Sequence, residues 1–113
     1  MAEIVVVDGQ LIVKLTAMER LGALRRSDVM VPLSSVTSVE RLDNARHGIR
    51  GLRAPGTGLP GVIALGTWRT RRTIDFVAVS RNEPGYVIEL DGGRQFHRLV
   101  ISSPPIEELD ALT

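Results

Sequence analysis

Residues 44–68 read NARHGIRGLRAPGTGLPGVIALGTW, and the rest of the chain is organised around this stretch. It holds six of the eleven glycines (Gly48, Gly51, Gly56, Gly58, Gly61, Gly66) and two of the six prolines, Pro55 and Pro60. Glycine visits backbone conformations that other residues avoid, and proline removes a backbone donor. Neither a smooth helix nor a smooth strand runs through such a segment. On both sides the chain alternates between apolar and polar residues, which is the strand period. The stretch therefore joins two halves of a β-rich chain, and it is the first place to look for a site.

Working upstream, Val36 to Leu42 alternates cleanly. Val36, Ser38, Glu40 and Leu42 face one way; Thr37, Val39 and Arg41 face the other. Asp43 or Asn44 caps a single helical turn through Ile49. Val29 to Val31 reads as a strand that Pro32 ends or places at an edge. At the start, Ile4–Val7 and Leu11–Leu15 flank Asp8-Gly9, a pair that favours a type I′ turn, so residues 3–15 read as a hairpin. Between these elements Thr16 and Glu19 form a capping box, and Met18, Leu21 and Leu24 share one helical face. Gly22 limits that helix to about two turns.

Downstream, Val62 to Leu65 is a continuous apolar run, as in a buried strand. Ile74 to Ser80 is another strand, anchored by Phe76. The two form a hairpin with Thr70-Arg71-Arg72-Thr73 at its tip. Asn82-Glu83-Pro84-Gly85 is a turn. Tyr86–Leu90 and Phe96–Ser102 are strands joined by Asp91-Gly92-Gly93. Ser103-Pro104 then reads as a helix start, with Ile106, Leu109 and Leu112 on the inner face. Glu107, Glu108 and Asp110 suit the positive end of that helix. The expectation is a single mainly β domain over residues 1–113. It is a small antiparallel barrel or sandwich of seven or eight strands, closed by a C-terminal helix, with a short early helix. Ile106, Leu109 and Leu112 would plug its open end.

At 113 residues and 43% hydrophobic, the chain can bury a core without staples. It has no cysteine, which removes disulfides, thiolate chemistry and cysteine metal sites. The N-terminus shows no signal-peptide pattern, and no apolar run approaches the ~18 residues of a membrane span. A cytoplasmic location is the default expectation. A net charge of +1 is too small for a general nucleic-acid binder. The distribution says more: residues 1–43 carry net −1, residues 44–81 net +6, and residues 82–113 net −4. Thirteen of the fourteen basic residues are arginine, a bias that a GC-rich genome would also produce.

Three segments carry a resemblance: VVVDGQLIVKL at the start, VMVPLSSVTSVERL as a strand–proline–strand unit, and VIELDGGRQFHRLVISSPPIEELDAL as a hairpin leading into a helix. Together they resemble the bacterial pleckstrin-homology-like (PH-like) domains. The middle, GIRGLRAPGTGLPGVIALGTW, resembles a stretch of small actinobacterial proteins of unassigned function. The resemblance implies a bent antiparallel barrel of about seven strands closed by a C-terminal helix. It also implies a binding or assembly module rather than a catalyst. Eukaryotic relatives often bind phosphoinositides through basic residues of a hairpin loop. The Thr16–Leu24 helix departs from the minimal family pattern.

Three constellations invite a functional reading. Gly56-Thr57-Gly58-Leu59-Pro60-Gly61 matches the G-x-G-x-x-G dinucleotide fingerprint. That mechanism needs a strand before the motif and a helix after it. Pro60 inside the motif and Val62-Ile63 behind it argue instead for a tight connection, or at most a backbone anion nest. Arg69, Arg71 and Arg72 cluster at the hairpin tip, where Thr70 and Thr73 add hydroxyls. Forked guanidinium groups suit phosphate or carboxylate. Arg50 and Arg53 would join them if the loop folds over, with the Gly56, Gly58 and Gly61 backbone as the floor. The competing reading is a solvated, charged tip that blocks edge pairing. Trp68 reads as a core or barrel-mouth anchor. His47 and His97 lack metal spacing, and His97 reads as a surface residue. No nucleophile–base set stands out, so no catalytic residue, cofactor or metal is expected.

The expected function is a non-enzymatic module that captures an anionic ligand: a lipid headgroup at a membrane surface, a phosphorylated ligand, or an acidic protein segment. The alternative is an assembly protein that self-associates or pairs its strand edges with a partner. A small enzyme of unknown class is the second alternative.

Overall fold

The computed structural model describes residues 3–14, 29–53, 63–80, 83–91 and 96–112. Nine strands run through them: β1 Glu3–Val7, β2 Gln10–Lys14, β3 Val29–Pro32, β4 Val36–Leu42, β5 Leu52–Arg53, β6 Ile63–Arg69, β7 Ile74–Ser80, β8 Gly85–Leu90 and β9 Arg98–Ser102. One short helix, α1 Glu107–Asp110, follows. The strands form a three-stranded sheet, β1-β2-β3, and a six-stranded sheet, β4-β8-β9-β7-β6-β5. The fold is mainly β and sandwich-like. Among the described residues no strand pair joins the two sheets, so they do not close into a barrel. The expected Thr16–Leu24 helix lies outside the described residues.

The first hairpin forms as its turn dictates. Asp8 and Gly9 both take positive φ, 51° and 74°, which is the type I′ geometry that matches strand twist. The resulting register pairs Val5 with Ile12 and turns Ile4, Leu11 and Val13 inward. β3 adds Val29 and Val31 to the same layer, and Pro32 sits at the end of an edge strand where a missing donor does no harm.

These residues meet Val39, Phe76, Ala78, Tyr86, Ile88, Leu99 and Ile101 of the large sheet in the main core. Phe76 tilts against Phe96 with ring centroids 5.6 Å apart. A second apolar cluster lies on the other face of the large sheet: Ala64, Trp68, Val77, Val79, Val87 and Val100. Residues Ala45–Gly48 form a 3-10 turn that brings Ala45 onto it. Of the two caps the sequence offered, Asp43 and Asn44, it is Asn44 that caps that turn, accepting from the Arg46 N–H at 3.0 Å.

Three details differ from expectation. First, β4 carries a bulge between Val36 and Ser38. An extra residue reverses the alternation, so Val36 packs on the main core with Val39 rather than on the face of Leu42. Second, β7 and β9 pair in parallel, whereas an all-antiparallel sheet was expected. The strand order sets β9 between β7 and β8; its Ser102 pairs with Gly85 and accepts the Ser80 N–H on its hydroxyl at 2.9 Å. β9 thereby fills the gap between consecutive strands, and β7 is buried on both faces, as central parallel strands are.

Third, the last helix starts at Glu107, not at Ser103-Pro104. Pro105 disfavours helical backbone at Pro104, and the Ser103 hydroxyl donates to the Pro104 carbonyl instead of capping. Leu109 is fully buried and Ile106 packs on the core, but Leu112 stays 50% exposed. The plug is two residues rather than three.

Tyr86 holds this short helix. Its hydroxyl donates to Asp110 Oδ1 at 2.6 Å and accepts the Ile106 N–H at 2.8 Å. Burial, and then the bond to Asp110, raise the phenol above its ordinary value of 10.0. The folded state therefore holds this proton more tightly than the unfolded chain. The anchor is at full strength below pH 10 and is lost as pH rises through the raised folded value. Tyr86→Phe is expected to cost ~1–3 kcal/mol, because it strands the Ile106 N–H. Chemical denaturation of both proteins checks this, and their difference should shrink at alkaline pH.

Candidate functional site

The hairpin between β6 and β7 places the predicted arginine cluster. β6 ends at Arg69 and β7 begins at Ile74, so residues 70–73 form the tip as read from the sequence. The turn is stitched from inside. The Thr70 N–H donates to the Thr73 carbonyl at 3.0 Å. Thr70 Oγ1 accepts from the N–H groups of Arg72 and Thr73, at 3.2 and 3.0 Å, and lies 2.6 Å from the Thr73 hydroxyl. The threonines therefore hold the loop rather than offering hydroxyls to a ligand. Arg69, Arg71 and Arg72 remain exposed, and no acid among the described residues pairs with them.

Arg50 is not part of this cluster. It forks onto Asp75, Nε to Oδ2 at 2.7 Å and Nη2 to Oδ1 at 3.0 Å. The Asp75 side chain is 1% exposed, and the bond to it raises the Arg50 guanidinium above its already high ordinary value. The cause is strand parity. Asp75 sits on the same face of β7 as Val77 and Val79, so its carboxylate needs a partner to be buried there. Arg50 is delivered by the segment after the 3-10 turn, where Gly51 takes φ 78°. A side chain at Gly51 would run into the Arg69 carbonyl, so β5 lies hard against β6.

The register extends this pair into a row across the sheet. Trp68, Asp75, Arg98 and Glu89 are successive partners on β6, β7, β9 and β8. Arg98 donates to the Gly48 carbonyl at 2.9 Å through Nη1 and sets its buried Nε against Glu89, off the line of a hydrogen bond. The charges alternate, Arg50, Asp75, Arg98, Glu89, and cancel. The sequence signal for this row was Asp75 itself, a lone acid in the apolar strand IDFVAVS. Arg53 lies in β5, opposite Trp68 in the register. Gly56, Gly58 and Gly61 fall outside the described residues.

The two histidines sit in different surroundings. His47 is exposed. His97 is half-buried rather than on the surface; its Nδ1 accepts the Ile74 N–H at 3.0 Å. Among the described residues no group of three acids or histidines could hold a metal ion, and no helix is long and apolar enough to cross a membrane.

A concavity of about 400 Å³ opens between Arg41, Glu83 and the rings of Pro84, Pro104 and Pro105. Arg41 and both serine hydroxyls of its lining are already engaged. Arg41 donates to the Ser103 carbonyl at 2.8 Å and lies over the Tyr86 ring at 4.7 Å. The Ser102 and Ser103 hydroxyls serve Ser80 and Pro104.

Compared with protein-family models, with curated proteins and with solved structures, the chain matches none. The fold and the site alone define its class: a mainly β, sandwich-like protein that displays an arginine-tipped hairpin.

Proposed function

We propose that this protein is a non-enzymatic binding module that captures an anionic group with Arg69, Arg71 and Arg72. The observation that carries the reading is the contrast between two sets of arginines. Arg50 and Arg98 are neutralised by Asp75 and Glu89, while the three at the tip are exposed and pair with no acid among the described residues. A loop tied by its own threonines holds them on a fixed base, which lowers the ordering cost of binding. The shared chemistry of the ligand is a phosphate or carboxylate that accepts forked N–H donors. A lipid headgroup, a soluble phosphorylated molecule and an acidic protein segment all supply it. A PH-like kinship is part of the proposal; the buried Leu109 of the closing helix supports it, and the parallel β7–β9 pair departs from it. The proposed setting is cytoplasmic, reaching the membrane only at its surface.

Pelleting with anionic and neutral vesicles, alongside titration with phosphorylated ligands and acidic peptides, tests the reading. The triple variant Arg69→Ala/Arg71→Ala/Arg72→Ala should lose binding at least about tenfold, since charged hydrogen bonds contribute ~1.5–3 kcal/mol each. Equal behaviour of the two proteins on every probe defeats it. The vesicle, small-ligand and peptide arms separate the three sources.

A further inference from the structure

The outer face of the three-stranded sheet is a broad surface that anion capture does not use. β1 turns Ile4 and Val6 to the core, which leaves Glu3, Val5 and Val7 outward. By the same alternation β2 presents Gln10, Ile12 and Lys14, and β3 presents Met30 and Pro32. The register lines these up. Val5, Ile12 and Met30 form one row across the sheet, Val7, Gln10 and Pro32 a second, and Glu3 and Lys14 a third. Of the three large hydrophobic side chains left exposed among the described residues, two belong here: Val7 at 47% and Met30 at 53%. The face is thus apolar in its middle, with one charged row at one end.

That row is self-complementary. Glu3 and Lys14 are register partners on adjacent strands, and both are exposed. A two-fold axis parallel to the strands, midway between β1 and β2, lays β1 of one copy over β2 of the other and keeps the rows level. Glu3 then opposes Lys14 of the other copy, and Lys14 opposes its Glu3. Val5 meets Ile12 in both directions, and Met30 flanks Val5 of the other copy. Sheets pack face to face in this aligned way, and a two-fold contact uses the same patch twice. Edge pairing of β1 with itself is less favourable. Antiparallel pairing about Val5 sets Glu3 opposite Val7 of the other copy and leaves the charges of Glu3 and Lys14 unmatched.

We propose that this face is a homodimer interface, built about a two-fold axis along the strands that sets Glu3 against Lys14 of the second copy. It is independent of anion capture, because the arginine tip belongs to the other sheet. Three short strands cover less than the ~800 Å² per partner of a standard interface, so the dimer is weak.

Sedimentation equilibrium from about 10 µM to about 1 mM reads an association in the micromolar-to-millimolar range of weak complexes. Wild-type protein should pass from monomer to dimer. Met30→Glu and Lys14→Glu should each weaken association by about tenfold, and Glu3→Lys/Lys14→Glu should restore it, since opposed charges set the register. Thermal melts confirm that the variants fold, as exposed positions allow. A monomer throughout, including one that adsorbs to neutral vesicles through Met30, overturns the proposal. So does a dimer indifferent to Met30→Glu, or a charge swap that fails to restore association. None of these outcomes bears on the arginine tip, which the triple variant tests separately.

Discussion

Leu109→Ala is expected to destabilise the fold by ~2–5 kcal/mol, read as a lower denaturant midpoint with an unchanged slope. Leu109 is fully buried although it sits on a helix of only four residues. Such a helix has no stability of its own, because nucleation costs more than one turn returns. What holds it is the side chain in the core and the Tyr86 hydroxyl. Removing the side chain leaves a cavity among residues of both sheets, and truncation cost grows with the cavity that remains. A loss below about 0.5 kcal/mol, within the range of ordinary surface substitutions, would make the helix peripheral. Leu112→Ala, at a half-exposed position on the same turn, is the control and should stay within that smaller range.

Arg50→Met carries the second large effect. It leaves a carboxylate that is 1% exposed without its forked partner. Breaking a fully buried pair costs about 3–5 kcal/mol; solvent at the 31% exposed Arg50 side chain brings the expectation down to ~2–3 kcal/mol. The reciprocal change, Asp75→Asn, should cost less, because a partly exposed guanidinium can turn to water. Replacing both members with apolar residues should recover part of the loss. The functional half is as specific: Arg50→Met should leave anion binding intact once the protein is folded. If it abolishes binding as the tip variant does, Arg50 belongs to the site and the division between neutralised and free arginines is wrong.

How far the sequence reaches depends on what kind of fact is asked of it. Turn chemistry is local, so Asp8-Gly9 could be read directly, the cap could be narrowed to Asp43 or Asn44, and the 70–73 tip followed from the strands on either side. Periodicity assigns faces, which is how Phe76 and Leu109 were placed in the core. It does not assign partners. Nothing in IDFVAVS or HRLVIS says that β9 lies beside β7 and runs parallel to it, because both directions bury the same residues. The bulge in β4 was invisible for a related reason: VTSVERL alternates whether or not one residue is skipped. The proline pair Pro104-Pro105 was legible and was misread, since the second proline forbids the start that the first one favours.

The site divides in the same way. The arginine tip is a local cluster, and counting charge along the chain found it. The neutral row behind it joins residues 25 positions apart in one case, Arg50 and Asp75, and only strand register brings them together. A lone acid in a buried strand was the available clue. Burial of a carboxylate requires a cation, but the sequence offers several arginines and does not choose among them.

The most direct test of anion capture is a residue-resolved titration. Isotope-labelled protein is titrated with inositol hexakisphosphate, a polyanionic probe, while amide and arginine side-chain resonances are followed. The account predicts saturable shifts at Arg69, Arg71, Arg72 and the amides of the tip, abolished in the triple variant, with Arg50 and Asp75 undisturbed. Shifts centred on Arg41 and the proline notch, or none at the tip at saturating probe, would contradict it.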